Sequence, residues 1–370
     1  MKRGAVPRLA LILSAAWLLV GLAPACAQTN RAAFWREGQH LCDAIARQPP
    51  GEHAAAIARE AVRQHGLWDG HRIDSAGRLH HFGAVEFEGE ADRRASPSVP
   101  LKEVAWWRVW RYWAALDEAR LIDWAELRVT AYAGAIGARD PDAPAARRDF
   151  AVATVLKALE DARSGSQEEA LKQSAVRAMM SDLPWSAVFV SSLVHKAVPS
   201  LGRTEFAFST SHMEYINQAL ERAKAEREGG SRATLYRACP IETTRPRPGD
   251  LLCYQRQAAC AGASPADLRN LAAFGDPVPN RPECRAIVST HCDVVARVDA
   301  SARKVATIGG NVFQSVAERR MNLAGRTLAL SANQGEAACR AARRREGDEP
   351  AAGEACSLNQ RDWFVLLQAR

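Results

Sequence analysis

The chain has 370 residues, of which 47% are hydrophobic and 25% charged, with a formal net charge of +7. That length suggests one large domain or two smaller ones. Without residues 1–27, which carry three positive and no negative charges, the charge falls to +4. This allows attraction to an anionic cell-wall or membrane surface and gives no case for nucleic acid as a partner.

Residues 1–27 read as a secretory signal. Lys2, Arg3 and Arg8 make a basic start, residues 9–22 form an apolar run, and Ala25-Cys26-Ala27 is a small-residue cleavage site before Gln28. The run is short for a membrane span, and no later segment is apolar enough to cross a bilayer. A lipid anchor on Cys26 fits less well, because Pro24 sits badly in the residues before it. The expectation is a periplasmic or secreted chain starting near Gln28.

Eight cysteines then remain: Cys42, Cys239, Cys253, Cys260, Cys284, Cys292, Cys339 and Cys356. An even count in an exported protein argues for disulfides, whose connectivity the sequence leaves open. Cys260–Cys284 and Cys339–Cys356 would each staple a loop. No CxxC pair or histidine spacing suggests zinc, so no metal or cofactor is expected.

In chain order, residues 34–47 and 54–65 read as helices with apolar faces marked by Trp35, Leu41 and Ile45 and by Ile57 and Ala61. Residues 66–89 look like loops with short strands and gather His71, His80 and His81 just after His65. These histidines read as solvated loop residues or, with no defensible ligand spacing, as a metal site. Trp106, Trp110 and Trp113 lie at i, i+4 and i+7, a stripe that either faces a core or stacks on sugar rings. Residues 114–180 continue as helical sequence, broken at 137–144 and at Ser164-Gly165-Ser166, and Ser166 with Glu169 forms a capping box.

Pro184-Trp185-Ser186 then opens the most apolar helical pattern outside the N-terminus, spanning 184–198. Val190, Leu193, Val194 and Ala197 follow Ser186 on one face, and Pro184 suits a first turn. Such a helix is buried. Ser186 is then either a local cap or a nucleophile whose developing charge is favoured by the helix N-terminus. Ser211 and Glu214 form another capping box, placing His212 in the first turn of a helix running to about Arg227. At a helix N-terminus a protonated His212 is disfavoured, so it would act as a neutral donor to substrate, or sit at the surface in a capping turn.

After Arg245-Pro246-Arg247-Pro248-Gly249 the pattern turns to strands: 251–254, 287–298, 304–308, 312–323 and 363–367, with a long loop at 257–285 and a charge-rich one at 340–349. Helices first and strands later predict an α+β architecture with an antiparallel sheet.

A serine nucleophile needs a base that is itself held in place. The best base is His291, which shares a strand face with Asp293 and Val295 while Cys292 and Val294 share the other; alone it also reads as a hydrogen-bonded structural residue. Asn311, after Gly309-Gly310, would lie beside His291 in a hairpin and fix its tautomer; its other reading is a turn residue. Asp293 is the rival orienter, although two positions along one strand is a poor geometry for a direct hydrogen bond. His212, Asp293 and Trp185 are taken as substrate-binding positions.

In order, these elements resemble the papain-like NlpC-type and CHAP amidases. In those families the helix carries Cys in a context such as Trp-Cys-Ala-Ala-Phe-Val, and this sequence has Trp185-Ser186-Ala187-Val188-Phe189-Val190. Pro184 to Ser186, Ser209 to His212, Arg245 to Leu251, His291 to Asp293 and Ile308 to Asn311 also resemble the motifs of an uncharacterised bacterial family within that group, as does the segment around Trp107 to Trp113. The resemblance covers the chain from about residue 54. It implies a papain-like core over 181–370 with an insertion at 257–285, preceded by a mostly helical region over 28–180 packed on it. It further implies Ser186 as the nucleophile position, His291 as base and Asn311 as orienter, in an exported hydrolase of peptide or amide bonds acting on peptidoglycan. Serine departs from the family cysteine and cannot form a thiolate–imidazolium pair. The alternative is therefore a binding module that keeps the cleft, holding a cell-wall fragment or small ligand without turnover. No free cysteine stands in, and Cys253 and Cys292 could bond each other.

Overall fold

The computed structural model describes residues 31–86, 105–122, 183–330 (apart from 232, 257–259, 261, 288, 326 and 328) and 357–370. The expected signal segment, the 137–144 and 164–166 breaks, the Ser166 capping box, the 340–349 loop and the Cys339–Cys356 pair lie outside these residues.

Helix α1 spans residues 31–46. Helix α2, Glu52–Leu67, buries Ala54, Ile57, Ala58 and Ala61, the i, i+3, i+4, i+7 stripe of a core-facing helix. Two short strands follow, β1 (His71–Ile73) and β2 (Leu79–His81). Helix α3, Ala105–Glu118, buries Trp106, Trp110 and Trp113 in the main apolar cluster. The tryptophan stripe is therefore core rather than a sugar platform.

Helix α4, Ser186–Ala197, lies within the expected 184–198 and starts two residues after Pro184, and it buries nine consecutive residues from Ser186 to Val194. Helix α5 is His212–Arg227. Strands β3 (Tyr236–Pro240) and β4 (Leu251–Gln255) follow. The segment expected as a plain loop at 257–285 holds helix α6, Pro265–Phe274. Ser264 caps it by accepting from the Asp267 N–H, Pro265 occupies its first turn, and Gly275 ends it in the left-handed conformation. These local signals outweigh the composition that suggested a loop. The remaining strands are β5 (Thr290–Asp299), β6 (Lys304–Val312), β7 (Ser315–Ala324), β8 (Ala329–Leu330) and β9 (Asp362–Ala369).

The architecture is a mixed α+β fold built on one nine-stranded sheet in the order β2-β1-β7-β6-β5-β4-β9-β3, with β8 paired to β7. All pairings are antiparallel except β1 with β7. The short strands expected within 66–89 thus join the sheet as β1 and β2, while α1, α2 and α3 hold most of the described residues before 123. The span 312–323 is not one strand. Phe313 and Gln314 both have positive φ, 52° and 59°, between the paired residues Val312 and Ser315, the geometry of a type I′ hairpin. Neither residue is a Gly or Asn that would announce such a turn.

The two sheet faces bury different clusters. Helix α4 lies over β5 and β6, between α2 and α3, and shares its cluster with Leu251, Cys253, Cys292 and Val294. Leu252, Tyr254, Val295 and Met321 form the second cluster, as alternation along β4 and β5 requires.

Disulfides join Cys42 to Cys239, Cys253 to Cys292 and Cys260 to Cys284. The first ties α1 to β3, and the second links residues directly opposite in β4 and β5. Among the described residues no helix is long and apolar enough to cross a membrane. Both features are compatible with an extracytoplasmic protein.

Candidate functional site

The first turn of α4 is held by aromatic packing. Trp185, fully buried, stacks on Trp68 with ring centroids 5.3 Å apart and on Tyr112 at 5.9 Å, and meets Phe189 edge-on. Its indole N–H donates to the buried Glu86 carboxylate. Burial pushes the Glu86 carboxyl up to about 7, the Trp185 hydrogen bond opposing this. Trp185 is thus a core residue that fixes the start of the helix, which corrects its placement among substrate-binding positions. The N-cap residue of α4, Trp185, makes no side-chain cap bond, which leaves the first-turn N–H groups without an acceptor from that residue.

Ser186 is 4% exposed, and its hydroxyl lies 2.8 Å from His212 Nε2. The segment leading into α5 is clamped to α4 further along. Ser191 Oγ donates to the Ser209 carbonyl at 2.9 Å and accepts from the Ser209 N–H at 3.1 Å. The N–H of Ser211 donates to Ser209 Oγ, and the Ser211 side chain makes no cap bond, so the expected capping box is not formed. The second ring nitrogen of His212, Nδ1, meets the Tyr215 hydroxyl one turn along α5. For Nε2 to accept the Ser186 proton, Nδ1 must carry hydrogen and donate to the Tyr215 oxygen. Burial drives His212 well below its ordinary value, reinforced by His291 and Arg256. Burial likewise pushes the Tyr215 phenol far up.

A second polar cluster adjoins the first. The His291 ring is 5.1 Å from that of His212, centroid to centroid. Its Nε2 donates to Asp293 Oδ1 at 2.7 Å, and its Nδ1 accepts from the Arg256 guanidinium at 2.5 Å. Asp293 Oδ2 also accepts from Thr307 Oγ1 at 3.3 Å and pairs with Arg319 Nε at 3.2 Å. His291 and Asp293 are wholly buried. Burial and then Arg256 push His291 down to about 4, against the opposing pull of Asp293. Burial raises the Asp293 carboxyl, but His291 and Arg319 outweigh it and hold the group below the usual carboxylate range.

The structure therefore brings Ser186 to His212 rather than to His291. Among the described residues no hydrogen bond joins Ser186 to His291. The reason is strand alternation: Cys292 and Val294 face α4, so His291 and Asp293 turn to the opposite side. The hydrogen-bond partner of His291 Nε2 is Asp293, whose two-residue spacing does permit a direct bond. Asn311 has φ 54° and lies at a register shift in β6, and among the described residues no hydrogen bond joins it to His291. Its Oδ1 accepts from the Gln314 amide at 3.1 Å when that amide nitrogen faces it. Tyr215, Arg256 and Arg319 escaped the sequence reading. Tyr215 had a visible signal, its i+3 spacing from His212; the two arginines converge only through sheet pairing.

The remaining motifs are structural. Asp250, wholly buried, accepts from the N–H groups of Arg247 and Ala369 at 2.8 Å each, and burial pushes it up to about 7. Arg247 donates to the Gln48, Pro49 and Ala369 carbonyls. A Cβ on Gly249 would lie 2.3 Å from the Ala54 carbonyl oxygen. The segment is thus a junction between α2, β4 and β9. Of the clustered histidines, His65 and His71 are buried rather than solvated. Their rings meet the His71 carbonyl and the Gly83 N–H, and His81 meets the Asp69 carbonyl.

Among curated proteins and among solved structures, nothing matches this chain. Residues 102–369 match the family described as uncharacterised protein conserved in bacteria, DUF2272, a span that takes in α3, α4, the two histidines and strands β3 to β9, and the chain belongs to that family.

Proposed function

We propose that the protein is an exported hydrolase of peptide or amide bonds, acting on peptidoglycan fragments through a papain-like, NlpC/CHAP-type arrangement with serine in the nucleophile position. The observation that carries this reading is the 2.8 Å contact between Ser186 Oγ at the start of the buried helix and His212 Nε2. A buried helix packed on the antiparallel strands β5 and β6 also supports it.

In the reaction, Ser186 Oγ bonds to the scissile carbonyl carbon as its proton passes to His212 Nε2. First-turn N–H groups of α4 receive the developing oxyanion. The C–N bond breaks, the amine leaves with the proton returned from His212, and water then cleaves the acyl-serine by the same proton route. Tyr215 holds the tautomer of His212, and Asp293 holds the ring of His291 beside it.

A second reading, a binding module without turnover, is favoured by a specific observation. The accepting nitrogen of His291 is occupied by Arg256, and burial leaves His212 a weak base. Mass spectrometry of peptidoglycan incubated with wild-type, Ser186→Ala and His212→Ala protein separates the two. The hydrolase reading expects new fragments from wild type alone, with a loss of a thousandfold or more in either variant and an unchanged melt. Full activity in Ser186→Ala would end it.

A further inference from the structure

Beside Arg256, which meets His291, lies a pocket with a cavity volume of about 430 Å³, lined by Tyr254, Gln255, Arg256, Asn311, Arg319 and Arg361 among others. That volume suits a small ligand or the end of a larger one. The lining holds three guanidinium groups and no carboxylate. Arg319 is engaged by Asp293 from beneath. Arg256 meets His291, and Arg361 donates to the neighbouring Gln360 carbonyl at 2.7 Å. Neither of these two meets a carboxylate among the described residues, so within those residues the positive charge of the pocket is uncompensated.

Gln255 provides an independent observation. It is only 3% exposed, yet neither polar atom of its amide has a hydrogen-bond partner among the described residues. A buried amide left unpaired is costly, and such groups in native proteins are normally satisfied. Gln255 is also one of the residues that line the charged cavity.

We propose that this pocket is an oxyanion-binding subsite that takes a free carboxylate of a peptide ligand, resting on the hydrolase reading for the identification of that ligand as substrate. Guanidinium forks match the planar geometry of a carboxylate, and the Gln255 amide nitrogen adds a donor. An anion seated on Arg256 competes with His291 Nδ1 for the same guanidinium. Ligand binding would therefore free that imidazole nitrogen beside His212.

Isothermal titration calorimetry on the full chain carrying Ser186→Ala tests this without turnover. The probes are acetyl-alanyl-alanine, its C-terminal amide and inorganic phosphate. The expected result is saturable binding of the free acid, weakened tenfold or more for the amide and on adding Arg361→Gln or Gln255→Ala, and unchanged by Arg297→Gln on another part of the surface. If Arg361→Gln fails to fold, Arg361→Lys, which keeps the charge but loses the fork, should weaken binding as well. Equal affinity for acid and amide, no saturable binding of the acid, or no effect at Arg361 would overturn the proposal. Phosphate binding tighter than the acid would overturn it in favour of a free-phosphate site. Acid-selective binding by a protein that cleaves nothing sinks the hydrolase reading alone; wild-type cleavage that treats acid and amide peptides alike sinks the subsite alone.

Discussion

Gly309 lies directly over Asp293: a Cβ at this position would stand 2.0 Å from Asp293 Oδ1 and 2.9 Å from His291 Nε2. Its neighbour Gly310 faces the other side of the sheet, where a Cβ would fall 2.4 Å from the Phe189 ring of α4. Adjacent glycines thus let one strand approach the histidine–aspartate pair on one face and the serine-bearing helix on the other.

Gly309→Ala should push Asp293 off His291 and destabilise the protein by about 1–3 kcal/mol, the usual range for overpacking a filled site. Urea denaturation gives the loss, and NMR of the His291 imidazole reports the broken bond. An unshifted imidazole signal in a fully stable variant would contradict this account.

The buried Glu86 predicts a pH effect of definite sign. Its folded value of about 7 stands above the ordinary 4.5. Between these values the folded chain keeps a proton that the unfolded chain releases, so the group costs stability as pH rises through this window. Glu86→Gln keeps an acceptor for the Trp185 indole and removes the charge. Its stability relative to wild type should improve from pH 5 to pH 8 by up to about 3 kcal/mol, at roughly 1.4 kcal/mol per unit. Denaturation curves at the two pH values check this.

His291 predicts the opposite slope. With a folded value of about 4 against 6.5, it contributes stability that is lost as pH falls through that window, because the unfolded chain takes up the proton first. Arg256→Gln removes a positive charge from beside Nδ1. The His291 titration should move up from about 4 yet stay below 6.5, since burial, the larger cause, persists. NMR titration of the ring measures it; a downward move would show that Arg256 acts otherwise.

The disulfides should rank by the loop each closes. Cys42–Cys239 spans 197 positions and Cys260–Cys284 only 24. Chain-entropy reasoning gives about 5 kcal/mol for the first and about 3 for the second. Paired Cys→Ala replacements should lower the melting temperature in that order, and a reversed order would point to strain or residual unfolded structure instead.

Much of this molecule is legible along the chain. The apolar period of 184–198 predicts a buried helix beginning near Ser186, because a helix apolar on nearly every side has no solvent face. Alternation at 291–295 predicts that His291 and Asp293 share a face. Both rest on local periodicity, a property that sequence carries intact. What the chain could not show is which histidine meets the serine. That depends on how far β5 and β6 extend, on which face of the sheet α4 lies, and on the clamp between Ser191 and Ser209 that seats α5 against α4. The contacts of Ser186 with His212, and of His291 with Asp293 and Arg256, therefore belong to the tertiary structure. Hydrogen bonds act over about 3 Å, and only the packed fold brings side chains from distant positions within that reach.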